Sequence, residues 1–461
     1  VPGSEQEMPV SFATTAAIRY GYGLPQVVEP TESAAAMLAL LRKPDAIARS
    51  FPITSFAVRA GQERARGELR KARRENKVGA EAALKEANRT AASGLARELR
   101  VSMIRAMVSR DGFRERLVRF WADHFSVSAR GKGLRFVTTA YIEDAIRPNI
   151  TGGFGALLKA AVTHPVMLVY LDQTASIGPN SLIGKKRDRG LNENLAREVL
   201  ELHTLGVGGS YRQVDVREFA ELLTGLNFSF RHGFSFRERS AEPGAETVLG
   251  QSYGGGRARL ADIHAALDDL ALHPDTGQHI ARKLVVHFIS DTPDPRLVAA
   301  VADAFSTSGG DLMATYSALL GDDLAWADFG QKAKQPFDFI VSAIRALGII
   351  PDQITGLSSR RTRLYLAAPM QVMGQPWLQP SGPDGWPEAV DDWITPQGLA
   401  ARVQWALMVV NALGAERDPQ AFARAALGEV AGDTLLSVAG AAESRLEGMA
   451  LVLASPEFNR R

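Results

Sequence analysis

Apolar residues recur at helical spacing along nearly the whole of this 461-residue chain, and no other feature narrows its possible folds as much. Side chains three and four positions apart share one helix face, so each such segment needs a neighbour to cover its apolar stripe. The pattern predicts helices over Glu32–Leu41, Phe113–Phe125, Arg135–Ala145, Phe154–Leu171, Asn192–Leu205 and Val214–Thr224. It continues over Ala261–Leu272, Gly277–Phe288, Pro295–Phe305, Leu312–Leu320, Gln335–Leu347, Tyr365–Met373 and Pro396–Leu413. Between Gly61 and Arg110 the chain is rich in Ala, Glu, Arg and Lys, a composition that favours long helices with charged outer faces. The basic cluster Arg70, Lys71, Arg73 and Arg74 is interleaved with Glu63, Glu68, Glu75, Glu81 and Glu86. It therefore reads as a solvated helical face and not as a nucleic-acid site.

Strand signals are scarce. The best is the aromatic alternation Phe228, Phe230, Phe234 and Phe236 around His232-Gly233, which predicts one short hairpin near 228–236. The expected fold is mostly α, a large multi-helix protein. Gln173–Gly190 and the glycine-rich Gly250–Gly256 read as loops, the latter as a hinge between a front unit (1–249) and a back unit (257–461), packed so closely that they can count as one domain.

Composition excludes several chemistries. Without cysteine there is no disulfide, thiolate nucleophile or thiolate metal site. A net charge of +2 gives no global field toward nucleic acid or membrane. No apolar run is long enough for a membrane-spanning helix, and Val1–Tyr22 lacks the basic-then-apolar pattern of a secretory leader, so none is expected there. Dinucleotide, P-loop and serine-hydrolase glycine motifs are also missing.

The most unusual stretch is Asn192 to Gly206. At 100° per residue, Asn194, Arg197, Glu198 and Glu201 fall in one arc and Leu195, Val199 and Leu202 in another. Two carboxylates, an amide and a guanidinium on one face suit a general acid/base pair, or an oxygen-rich cation site. The same spacing suits an ion-paired surface or a buried structural network. His203 projects away from Glu201, as a core histidine would, and no Glu-x-x-His metal signature is present.

Other candidates surround this helix. Asp123-His124 ends an apolar segment; Glu143 and Asp172 stand near predicted helix ends, where caps and active-site carboxylates both occur. The basic loop Gln173–Gly190, with Lys185, Lys186, Arg187 and Arg189, reads either as a lid over a ligand or as a surface loop. Trp377 and Trp386 sit in proline- and glycine-rich turns, where an indole can stack on a sugar or anchor the loop.

Phe120 to Ser128, His164 to Asp172 and Asn192 to Gly206 resemble a bacterial family known as domain of unknown function 1800. Leu223-Thr224-Gly225, Arg282-Lys283-Leu284, Gly309 to Leu312 and Gly385-Trp386-Pro387 extend the resemblance over nearly the whole chain. Two departures are Arg212, where the family usually has Ser or Thr, and Leu226-Asn227 in place of a usual Trp. The resemblance implies a helix-rich bacterial protein, linked with the cell envelope more than the cytoplasm and often encoded beside a phosphatase- or sulfatase-like protein. It implies no reaction.

The expected function is a cofactor-free hydrolase or lyase acting on an envelope or extracellular polymer, a polysaccharide. Glu198 and Glu201 are the acid/base candidates, Asp172 or Glu143 supplies a third carboxylate, and Asn192, Asn194, Arg197, His124, Trp377 and Trp386 bind substrate. The alternatives are a non-catalytic partner of the phosphatase- or sulfatase-like neighbour, and a divalent-cation protein using Glu198, Glu201 and Asp172.

Overall fold

The Ala-, Glu- and Arg-rich stretch forms two long helices, Phe56–Arg74 and Ala80–Val108, in a computed structural model that describes residues 10–24, 31–131, 133–186, 190–414 and 416–461. They are joined through a buried ion pair between Arg59 and Glu98, and Glu98 also accepts from the Thr139 hydroxyl. Gly94 makes this approach possible, because a Cβ there would lie 2.8 Å from the Arg59 guanidinium. Lys71, Arg73 and Arg74 are exposed, as expected of a solvated face, while Glu63 is buried under Arg66 and Arg70.

The protein is mostly α-helical, with two small antiparallel hairpins. Leu226–Ser229 pairs with Gly233–Phe236 in the register Phe228↔Phe234, the hairpin anticipated from the aromatic alternation. The second hairpin corrects the hinge reading. Gln251–Gly256 is a strand paired with Gly244–Val248, closed by Leu249 and Gly250, both at positive φ. That two-residue turn matches strand twist, and Tyr253 pins the strand by donating to Asp269 at 2.7 Å. The register shifts between Gly244 and Ala245, and Gly254 and Gly255 take up that irregularity at positive φ.

Several long helical periods are interrupted. Phe154–Leu171 becomes Phe154–Val162 and Pro165–Tyr170, because Pro165 starts a new helix whose first turn His164 caps through Nδ1. Arg135–Ala145 breaks into a 3₁₀ turn, Thr138–Tyr141 and a π-helical turn, Ile142–Ile146.

The apolar interior gathers into two clusters. One draws on residues between Ala16 and Ala325; the other on Tyr22, Leu99–Met107 and Phe337–Phe458. The helix Ala80–Val108 thus carries front-half residues into the second cluster, and Tyr20 and Tyr22 enter different clusters two positions apart. Inside the first, Trp121 Nε1 donates to Tyr316 at 2.6 Å and Tyr316 to the Ile150 carbonyl at 2.9 Å, so the buried polar tips of both aromatics are satisfied. Among the described residues no helix is long and apolar enough to cross a membrane.

Candidate active site

The polar segment is not a uniform α-helix. Asn194–Glu198 is α-helical and Val199–His203 is a π-turn, a local widening that recurs at functional sites. Leu195, Ala196, Val199 and Leu200 bury the apolar side. On the polar side Arg197 bridges Glu193 and Glu201, each at 3.1 Å, and donates to Gln213 at 2.9 Å. Tyr211 lies against Glu201, whose charge adds to burial in raising the phenol pKa.

Glu198 is left out of this ladder. Among the described residues its carboxyl has no hydrogen-bond or ion-pair partner, and it is half-buried. Burial first, then the charges of Glu201 and Asp384, push its pKa up from 4.5 to about 7, with Arg197 opposing. Tyr170 faces the same pair: burial raises its pKa, and Glu198 and Asp384 add to the effect. Glu198, Asp384 and Tyr170 thus share one polar patch, although they come from a helix, a loop and another helix.

The Asp384 loop is held from beneath. Trp386 N donates to both oxygens of buried Asp123, at 3.0 and 3.2 Å. Gly385 sits at φ +86°, and a Cβ there would lie 2.7 Å from Asp123 Oδ2, so glycine is required twice over. Burial pushes Asp123 up to about 7, with Glu388 adding to the rise. On the helix Pro274–Phe288, burial lowers the pKa of Lys283 against the attraction of Asp123, Glu388 and Asp384.

The end of the π-turn is closed by imidazoles. His124 Nε2 donates to the His203 carbonyl at 3.1 Å, and His279 Nε2 to that of Leu202 at 3.0 Å, so two terminal carbonyls find donors. Burial drives His203 down to about 3 and His279 to about 4, with Lys283 adding to both, and holds His124 well below the usual value. All three are therefore held toward the neutral form, and among the described residues both ring nitrogens of His203 lack a partner.

A family described as a protein of unknown function, DUF1800, matches residues 16–460. The chain belongs to that family. No curated protein and no solved structure matches. In this member of the domain of unknown function 1800 family, Arg212 does not abolish the helix cap: Asp215 reaches back to accept the Arg212 N–H at 2.9 Å. Asn227, in place of the usual Trp, donates to the Thr174 carbonyl at 3.1 Å.

Within this family member Arg197, Glu198 and Glu201 lie against one another, as the shared arc predicts, but in different roles. Arg197 and Glu201 satisfy each other, Asn194 is exposed, and Glu198 feels the charge of Asp384. Asn192 ties loop to helix, its N–H donating to Ser176 Oγ at 3.1 Å and its Oδ1 accepting from Asn194 N at 2.8 Å. Asp172 adopts a left-handed turn, φ +58°, beside that junction. Glu143 is elsewhere, ion-paired to Arg105 at 2.7 Å and Arg147 at 3.5 Å. His124, 2% exposed, is core and not a ligand-facing group. Trp377 packs on the second apolar cluster, and Trp386 lies beside Trp393 with ring centres 6.2 Å apart.

The Gln173–Gly190 loop is tied down along part of its length. Gly178 N, Ile183 N and the Asn180 side chain bond to Ser240, Arg239 and Glu242, so the loop forms one wall of a cavity of about 400 Å³. Lys185 and Lys186 are exposed, and Arg187 and Arg189 lie outside the described residues. Among the described residues, three carboxylates close enough to hold a cation are Glu218, Glu221 and Glu246, not Glu198, Glu201 and Asp172. Sequence reasoning missed Asp384 and Lys283. Lys283 lies in a stretch carrying the family resemblance and Asp384 directly before another, but nothing local to either residue marks it as part of a site.

Proposed function

We propose that this protein is a hydrolase or lyase that cleaves an envelope or extracellular polymer, a polysaccharide, by carboxylate acid/base chemistry with Glu198 moving the proton. The observation that carries this reading is the half-buried Glu198 carboxyl, without a partner among the described residues and pushed up to about 7 by burial and the charges of Glu201 and Asp384. An acid poised at working pH can donate to a leaving oxygen and take the proton back later.

Asp384 replaces Glu201 as the second carboxylate in this reading. Its side chain is exposed on a different element, so it is free to act on water or on the reacting carbon, whereas Glu201 is engaged by Arg197. Arg197 and Glu201 then position Glu198 and keep a like charge beside it. Incubating the full chain with a panel of bacterial polysaccharides, followed by oligosaccharide sequencing, tests the proposal. Glu198→Gln and Asp384→Asn should each lower turnover by about 10²-fold or more, the usual scale for a general acid or base. A lyase would leave ultraviolet-absorbing unsaturated ends and a hydrolase would not. Full turnover in both variants refutes the assignment.

One observation favours the reading as an assembly partner: the Glu193–Arg197–Glu201–Gln213 ladder is closed on itself, as a structural network would be. Co-purification with the phosphatase- or sulfatase-like neighbour, undiminished by Glu198→Gln, would support that alternative.

A further inference from the structure

A second polar centre lies against the Leu378–Trp386 segment and Asp123. It is a cavity of about 50 Å³ whose lining includes Tyr22, Arg116, Arg119, Gln335, Asp338 and Trp386. A water molecule needs roughly 10–15 Å³ on this scale, so the space takes about four water-sized centres.

Its walls carry donors without acceptors. Arg116 is 2% exposed, and although one nitrogen reaches Asp338, both Nε and Nη2 have no partner. Tyr22 is 1% exposed and its hydroxyl is also unpartnered. Arg119 stacks on Phe337 with its guanidinium carbon 3.8 Å from the ring centre, and among the described residues it has no hydrogen-bond or ion-pair acceptor. Behind this wall stand further buried cations, Lys334, Arg402 and Arg461; Arg461 itself has two unpartnered nitrogens.

The acids facing the cavity do not balance them. Asp338 is the near partner of Arg116 and is shared with Arg461 at 4.0 Å. Asp123 accepts from Trp386, and burial raises its pKa to about 7, which reduces its negative charge. His287, also on the wall, is taken by Glu388. Lys334 is held down to about 7 chiefly by burial, with Asp338 opposing the shift and Arg402 and Arg116 adding to it. Buried, unsatisfied cationic donors are strongly unfavourable, and a small anion answers both the missing acceptors and the missing charge.

We propose that this cavity is a binding site for a small anion, a halide or an oxyanion no larger than phosphate, held by Arg116, Arg119 and the Tyr22 hydroxyl. The anion is either free in solution or the carboxylate of an organic ligand; the two share one recognition chemistry. The site shares none of the groups that carry the Glu198 chemistry, although Asp123 and Trp386, which line the cavity, also seat the Asp384 loop.

The test uses the full chain, titrated calorimetrically with sodium bromide, phosphate and acetate at fixed ionic strength, and crystals soaked in bromide. Saturable binding at one site is expected, with an anomalous bromide peak inside the cavity. Arg119→Met, which keeps the stem on Phe337, should weaken binding at least tenfold, and Tyr22→Phe should weaken it about threefold. Bromide or phosphate binding identifies an inorganic ion as the ligand; acetate binding alone identifies a carboxylate. Without anion, Arg119→Met should melt no lower than the unaltered protein, because it removes an unpaired charge. Should it fail to fold, Tyr22→Phe and the bromide map carry the test. Ordered water alone in the cavity, or equal affinity in the unaltered protein and the variants, overturns the proposal.

Discussion

Replacing Glu198 by Gln should stabilise the protein at alkaline pH and leave it unchanged in acid. Unfolded, this carboxyl titrates near 4.5; folded, burial and the neighbouring charges of Glu201 and Asp384 raise it to about 7. Between those values the folded protein holds a proton that the unfolded chain has released, so stability falls as pH rises through the window. The contribution is fully present below about pH 4.5 and lost above about pH 7. The difference of about 2.5, at roughly 1.36 kcal/mol each, sets an upper bound of about 3 kcal/mol. Glu198 is only half-buried, and screening by solvent reduces this to about 1–2 kcal/mol. Glutamine has the same shape without the charge and so escapes the loss. Urea denaturation of both proteins at pH 4 and pH 8.5 measures the effect, and comparing them at each pH cancels the titrating groups that are not coupled to Glu198. Glu198→Gln should match the unaltered protein at pH 4 and exceed it by about 1–2 kcal/mol at pH 8.5. An identical difference at both pH values, or a less stable variant at pH 8.5, would refute the argument that this carboxyl is held against its charged form.

Glu98→Ala should cost about 3–5 kcal/mol in denaturant unfolding, because it strands the Arg59 guanidinium in a buried site, and Glu98→Gln should cost less. A loss under about 1 kcal/mol would mean that water compensates Arg59. Gly385→Ala meets a positive φ and the Asp123 carboxyl together, so it should destabilise by at least about 1–2 kcal/mol and shift the emission of Trp386. Unaltered emission and stability would show that the loop is not seated on Asp123. Glu201→Gln should change stability by less than about 1 kcal/mol, since its pair with Arg197 is partly exposed. It should nevertheless lower the pKa of Glu198 by removing a like charge, which carbon NMR of labelled glutamate side chains would read; an unmoved Glu198 resonance would contradict the proximity.

Helical periodicity is a local property of the chain, and it was sufficient for the mostly α fold, for Pro396–Leu413 and its neighbours, and for the hairpin at Phe228–Phe234. Family membership was equally legible, because short motifs survive in the linear order of residues. Where strand and loop signals compete the local reading failed: Gly250–Gly256 has turn-like composition, and only its pairing with Gly244–Val248 makes it a strand.

The site divides along the same line. Its first member, Glu198, was visible as part of a polar arc, but a straight wheel assumes uniform α geometry, and the π-turn at Val199–His203 departs from it. Whether Glu201 or Asp384 stands opposite Glu198 depends on where a loop nearly two hundred residues away comes to rest on Asp123. The unmatched cations around Arg116 are likewise invisible in a chain whose overall charge is almost balanced. Net charge sums over the sequence, whereas burial acts on each group through its own surroundings, so tertiary packing alone decided which carboxyl is poised and which guanidinium lacks a partner.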